Sequence, residues 1–69
     1  MDKEEFMREW SSVDGEEGKD YFHMVKLDDD VVLTNHFEIF QEGVVFYLQG
    51  NGMSKEVKRC KYEDILEVI

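Results

Sequence analysis

Sixty-nine residues are enough for one domain and no more. At that length folding buries only about 60% of the chain's surface, so a single core must supply nearly all the stability. A hydrophobic fraction of 42%, with five Phe, three Tyr and one Trp, is enough to build that core and argues against disorder. A net charge of −9 excludes nucleic acid and anionic membrane as direct partners, since both repel an acidic surface, and favours proteins with a basic surface.

The charge is unevenly spread. Residues 1–50 hold thirteen acids against four bases, and residues 51–69 hold four of each, with every late base inside Lys55–Lys61. Val31–Phe37 and Gly43–Ser54, the longest uncharged stretches, are too short and too polar to span a membrane. Residues 1–10 have no apolar run of the secretory type. One cysteine, Cys60, excludes an internal disulfide framework and points to a reducing compartment. The expected location is cytoplasmic.

The first ten residues predict a short helix. Asp2 is placed to cap it, with Glu5 three residues on to complete a capping box. Phe6 and Trp10 share one face with Met7 beside them, and Glu4 is in position to pair with Arg8. So short a helix is marginal alone and must dock. Residues 11–20 carry two glycines and no apolar period, which predicts an exposed acidic loop.

From Tyr21 the period becomes two, and residues 21–69 predict an antiparallel sheet. Tyr21–Leu27 is a strand ended by the turn Asp28-Asp29-Asp30. Val31–Phe40 is a longer strand, broken in pattern only at Asn35. Gln41-Glu42-Gly43 suits a three-residue hairpin loop, with Gly43 free to take positive φ. Val44–Gln49 follows, Gly50-Asn51-Gly52 begins another turn, and Glu56–Lys61 is the next strand. After a short turn at residues 62–65, the tail Leu66–Ile69 fits either a strand or one helical turn. The expected fold is a single α+β domain: a short N-terminal helix packed on a curved antiparallel meander of four to five strands. No connection is long enough for parallel pairing.

Strand alternation places apolar residues on both faces. Val31, Leu33, Phe37, Ile39, Val44, Phe46 and Leu48 form one set, and Phe22, Met24, Val32, Phe40, Val45 and Tyr47 the other. A half-solvated antiparallel sheet is polar on one side. A ten-residue helix covers only part of the second set, so the second set is expected to leave a patch for another chain, with a homodimer as the first expectation.

No catalytic or metal motif is found. His23 and His36, with Cys60, are three soft ligands on different predicted strands, and no CxxC or HExxH spacing exists. Both histidines read as ordinary polar strand positions. Cys60 has Lys58, Arg59 and Lys61 nearby, but it alternates with Tyr62 and reads as a buried, inert thiol. Neither Asp28-Asp29-Asp30 nor the loop with Asp14, Glu16, Glu17 and Asp20 matches an EF-hand. Gly50–Lys55 lacks P-loop spacing. No enzyme activity and no cofactor is expected.

The acidic surface remains: Asp14, Glu16, Glu17 and Asp20 in one predicted loop, and Asp28, Asp29 and Asp30 in another. Carboxylates so spaced imitate the phosphate row of a duplex to a basic groove. In size, charge and lack of catalytic motif the chain resembles the small acidic inhibitors that phages and mobile elements encode against host enzymes. That resemblance implies a non-enzymatic protein-binding module, an inhibitor of a host defence or nucleic-acid-binding enzyme. The alternative is a homo-oligomer that sequesters a small nucleotide signal, for which Lys55, Lys58, Arg59, Lys61 and Tyr62 are the candidates.

Overall fold

The structure, a computed structural model, describes residues 1–12 and 22–69. Helix α1, Lys3–Ser12, starts where its cap puts it. The Asp2 carboxylate accepts the Glu5 amide at 2.8 Å, and Glu4 and Glu5 lie at the positive end of the helix dipole. The helix runs through Ser11 and Ser12, two residues past its expected end, and the Ser12 hydroxyl donates back to the Glu9 carbonyl at 2.9 Å. Phe6 and Trp10 face inward and are buried, while Met7 turns toward solvent. Among the described residues no Glu4–Arg8 ion pair forms. Val13–Tyr21, and with them most of the expected acidic loop, lie outside the described residues.

The strands are β1 His23–Leu27, β2 Val31–Thr34, β3 His36–Phe40, β4 Gly43–Gly50, β5 Met53–Lys61 and β6 Ile65–Val68. All pair antiparallel, in two three-stranded sheets ordered β2-β1-β6 and β3-β4-β5. The fold is therefore α+β, but the single meander is split. The stretch expected to be one strand, Val31–Phe40, becomes two at Asn35, which carries the chain from one sheet to the other. The corner is held by side chains standing in for backbone. Asn35 Nδ2 donates to the Gln49 carbonyl at 2.7 Å, and Asn35 Oδ1 accepts the Gln49 amide at 2.8 Å. The buried Thr34 hydroxyl reaches the carbonyls of Tyr47 at 2.7 Å and His36 at 3.0 Å. A carboxamide satisfies both groups of one residue, which keeps the ladder paired through the bend.

Two turns follow the expected chemistry and one does not. The Leu27 amide donates to the Asp30 carbonyl at 2.8 Å to close the first hairpin. Asn51 and Gly52 adopt φ of 51° and 77°, the paired left-handed residues of a two-residue hairpin. Gly43, expected to take positive φ in a three-residue loop, is instead the first residue of β4, opposite Phe40. It is a glycine because a Cβ there would run into the Cys60 carbonyl oxygen on β5. The tail is a strand: a 3-10 turn at Tyr62–Asp64 leads into β6, which pairs with β1.

Helix α1 covers the outer edge of β6. The Met1 ammonium donates to the carbonyls of Tyr62 and Ile65 at 3.1 and 2.9 Å, and Glu9 accepts the Val68 amide at 3.2 Å. Met1 to Glu9 spans about 12 Å of helix and Ile65 to Val68 about 10 Å of strand, so the two elements run side by side. From that berth Phe6 enters the space between the sheets. Its ring meets Phe37 edge-on at 4.9 Å and Phe46 at 5.7 Å, with Trp10 and Tyr62 each at 5.9 Å. Val25, Leu27, Val32, Val44, Ile65 and Val68 complete the core.

Gly43→Ala is expected to lower stability by more than about 2 kcal/mol, since backbone rather than a side-chain tip must move. Gly50→Ala, with open space around it, is expected to stay within about 0.5 kcal/mol of the parent. Urea unfolding of both variants checks this, and equal losses would show that the β4–β5 approach is not the constraint.

Candidate functional site

The six residues expected to share an exposed apolar face are not on one face. Val32 is in the core, because the inward positions of β2 are its even residues, Val32 and Thr34. The bend at Asn35 resets the alternation, so Phe37 on β3 packs against the core instead of sharing a face with Val31 and Leu33. Phe40, Val45 and Tyr47 belong to the outer face of the β3-β4-β5 sheet. There Val45 is buried between its cross-strand neighbours Glu38 and Arg59. The Arg59 guanidinium carbon lies 5.4 Å from the centre of the Phe40 ring, and the His36 ring lies 5.8 Å from that of Tyr47. Long polar side chains thus roof this face, their stems on the apolar groups and their charges in water. Glu38–His36 at 3.4 Å and Glu56–Arg59 at 3.2 Å tie the roof together.

Met24 lies on the outer side of the β2-β1-β6 sheet, which has no such roof among the described residues, and Phe22, one residue before β1, is exposed. Leu33 on β2 pairs with Met24 on β1, whose amide and carbonyl are both bonded to Ile69. The row Leu33–Met24–Ile69 therefore crosses the whole sheet with side chains 50%, 46% and 55% exposed. Beside it runs Val31–Lys26–Glu67, and the irregularity at Lys26/Leu27 turns Leu66 outward with Glu67. Val31, Leu33, Leu66 and Ile69 are apolar surface that strict alternation along Val31–Phe40 and an undecided tail did not disclose.

The acidic residues face water. Eleven of the thirteen described carboxylates are exposed, and the two half-buried ones, Glu9 and Asp64, accept the backbone amides of Val68 and Lys61. Asp28, Asp29 and Asp30 are exposed on the β1–β2 turn, where Asp30 accepts the Val31 amide at 2.8 Å. Asp14, Glu16, Glu17 and Asp20 lie outside the described residues. The basic segment is spread along β5. Lys58 and Arg59 line a cleft of about 310 Å³ with Asp28, Asp29 and Asp64, whereas Lys61 and Tyr62 line another of about 770 Å³ with Asp2, Glu42 and Glu63. Each cleft mixes both signs, and of the residues named for an anionic small ligand Lys58 and Arg59 line one, Lys61 and Tyr62 the other, and Lys55 neither.

His23 is a core residue rather than an ordinary polar strand position: it is 1% exposed and its ring stacks on Trp10 at 3.9 Å. His36 is at the surface as part of the roof described above. Cys60 is half-buried, and burial first, then Asp64, push its thiol above the ordinary value of 9.0, against a smaller opposing pull from Lys58. The Tyr62 hydroxyl is enclosed with no hydrogen-bond partner among the described residues, and burial raises its pKa as well. Among the described residues no three His, Cys, Asp or Glu side chains converge to hold a metal ion. No helix among them is long and apolar enough to cross a membrane.

No protein-family model matches the chain, and no curated protein or solved structure matches it either.

Cys60 and Tyr62 both favour their protonated forms in the folded state. Their contribution to stability is complete below the unfolded values of 9.0 and 10.0 and is lost as pH rises through the higher folded ones. Urea midpoints are therefore expected to fall steadily above about pH 9. Tyr62→Phe removes an unbonded hydroxyl, so it is expected to hold or raise stability at pH 7, by up to about 1 kcal/mol, and to flatten the decline above pH 10. A large loss at pH 7 would show that the hydroxyl is bonded in solution.

Proposed function

We propose that the chain is a small non-enzymatic protein-binding module whose partner presents a basic surface. The state of its carboxylates carries this reading. Most are exposed, and among the described residues only Glu38 and Glu56 sit in ion pairs. The fold leaves its negative charge facing outward instead of neutralising it internally. Asp28, Asp29 and Asp30 concentrate three carboxylates in the β1–β2 turn, which the Leu27–Asp30 backbone hydrogen bond closes, so presenting them costs little ordering on contact. To a groove built for nucleic acid, such a surface offers the charge of a phosphate row without the bases. That supports an inhibitor, of the kind phages direct at host defence or nucleic-acid-binding enzymes, over a receptor for a small molecule.

Affinity capture with the purified chain, followed by binding measurements on the captured protein, tests the proposal. Affinity is expected to fall at least tenfold between about 50 and about 500 mM salt, with nucleic acid competing. Neutralising Asp28, Asp29 and Asp30 to Asn is expected to slow association more than it speeds dissociation, as charges at an interface rim act mainly by steering. Binding that is indifferent to salt and to this triple substitution would make the acidity a device for solubility alone.

A further inference from the structure

The two outer sheet faces are treated differently by the same chain. On β3-β4-β5 the apolar groups lie beneath Arg59, Glu38 and His36, whereas on β2-β1-β6 no described residue covers them. We infer that the open face is where a second copy of this chain docks, sheet against sheet, through a two-fold axis running between β1 and β6.

Charge singles out that occupant. Among the described residues its strands present two charged side chains on this face, Lys26 and Glu67, of opposite sign and directly opposite each other across β1 and β6. On a chain of net charge −9 it is a locally neutral surface. A basic partner drawn by the acidic surface has no reason to bind here. Two copies that each carry −9 repel one another over most of their surfaces, and a neutral face is where they can approach. The pattern is also its own complement. A two-fold axis midway between the two strands sets β1 of each copy over β6 of the other. Met24 then faces Ile69 of the second copy, Lys26 faces its Glu67, and both contacts occur twice, as an isologous interface requires. Sheets stacked this way lie about 10 Å apart with their side chains interleaved.

Size sets the strength. The two strands that overlap, at about 4.8 Å spacing with five residues at about 3.3 Å rise, give a shared face of about 10 by 17 Å. That is below the roughly 800 Å² per partner of a standard stable interface. The dimer is therefore expected to be weak, with a dissociation constant on the order of tens to hundreds of micromolar.

Sedimentation equilibrium of the full chain from about 10 μM to about 1 mM reads the association directly. A reversible monomer–dimer equilibrium is expected. Met24→Glu is expected to weaken it at least tenfold, with the urea midpoint of the monomer little changed because the side chain is surface-exposed. Lys26→Glu and Glu67→Lys supply the sharper test. Each variant alone places like charges together twice and is expected to be monomeric. An equimolar mixture of the two restores both opposite-charge contacts and is expected to dimerise at about the parent strength. Charge contacts within one copy are not altered by mixing, so only contacts between copies produce that rescue. A parent monomer at about 1 mM, a dimer insensitive to Met24→Glu, or the absence of rescue on mixing each overturns the proposal; a parent monomer would assign the face to a different chain.

Discussion

The structure depends on one side chain reaching the space between two sheets that are each too small to stand alone. Phe6 is fully enclosed and touches Phe37 and Phe46 from one sheet and Tyr62 at the approach to the other. Three-stranded sheets with four to nine residues per strand bury little by themselves, and a ten-residue helix is marginal in water. Each element is stabilised only by the presence of the other two. Aromatic rings suit that junction because one ring supplies 150 Å² or more of contact at few rotatable bonds, and edge-to-face pairs add to the burial. Trp10, one helical turn on, extends the same wedge onto His23 and fills the end of the core nearest β1.

The position of the helix that delivers Phe6 also settles the sheet edges. β6 is covered by α1, with the Val68 amide held by Glu9 and the Tyr62 and Ile65 carbonyls by the Met1 ammonium. β5 is a nine-residue edge strand, long enough to invite pairing with other chains. It is also where Lys55, Lys58, Arg59 and Lys61 are gathered. Charged residues, lysine above all, are the usual means of blunting an exposed edge. The concentration of bases late in the sequence thus has a structural cause, and Arg59 serves twice by roofing Phe40.

Local chemistry was legible in the sequence wherever it acts within a few residues. The Asp2 cap, the Phe6–Trp10 face, the turn at Asp28–Asp30 and a turn around Gly50–Gly52 follow from side-chain type and spacing. What sequence could not supply was the phase of alternation across a corner. A period of two tells which residues share a face only while the strand is unbroken. Asn35 breaks it, so Val31 and Leu33 point outward while Phe37 points inward. The signal was present as the single polar interruption in the pattern, but an Asn inside a strand does not announce that its carboxamide will pair with the Gln49 backbone. The same holds for Gly43, whose small size answers to β5, a strand whose approach is set by tertiary packing. His23 became a core residue for a comparable reason, since its ring plane is set by a tryptophan thirteen positions earlier in the chain.

The acidic hairpin tip and the open apolar face occupy different parts of the molecule. The described residues measure 31 × 23 × 22 Å, so charges on opposite sides are two or more screening lengths apart at physiological salt. Lys26 on the open face, two residues before Asp28, lies about 7 Å from the acidic tip and within one such length. The Asp28–Asp30 hairpin tip projects from the end of the sheet, and the open face lies along its side. Docking on that side covers Met24, Lys26 and Ile69 and leaves the tip free. Two acidic tips in one assembly would then address a basic groove together. Each would engage in the presence of the other at raised effective concentration, so even a weak association between copies would strengthen binding to an extended partner. If the proposed dimer forms, a chain of this length would gain a reach that its own fold, spent largely on enclosing Phe6, does not provide.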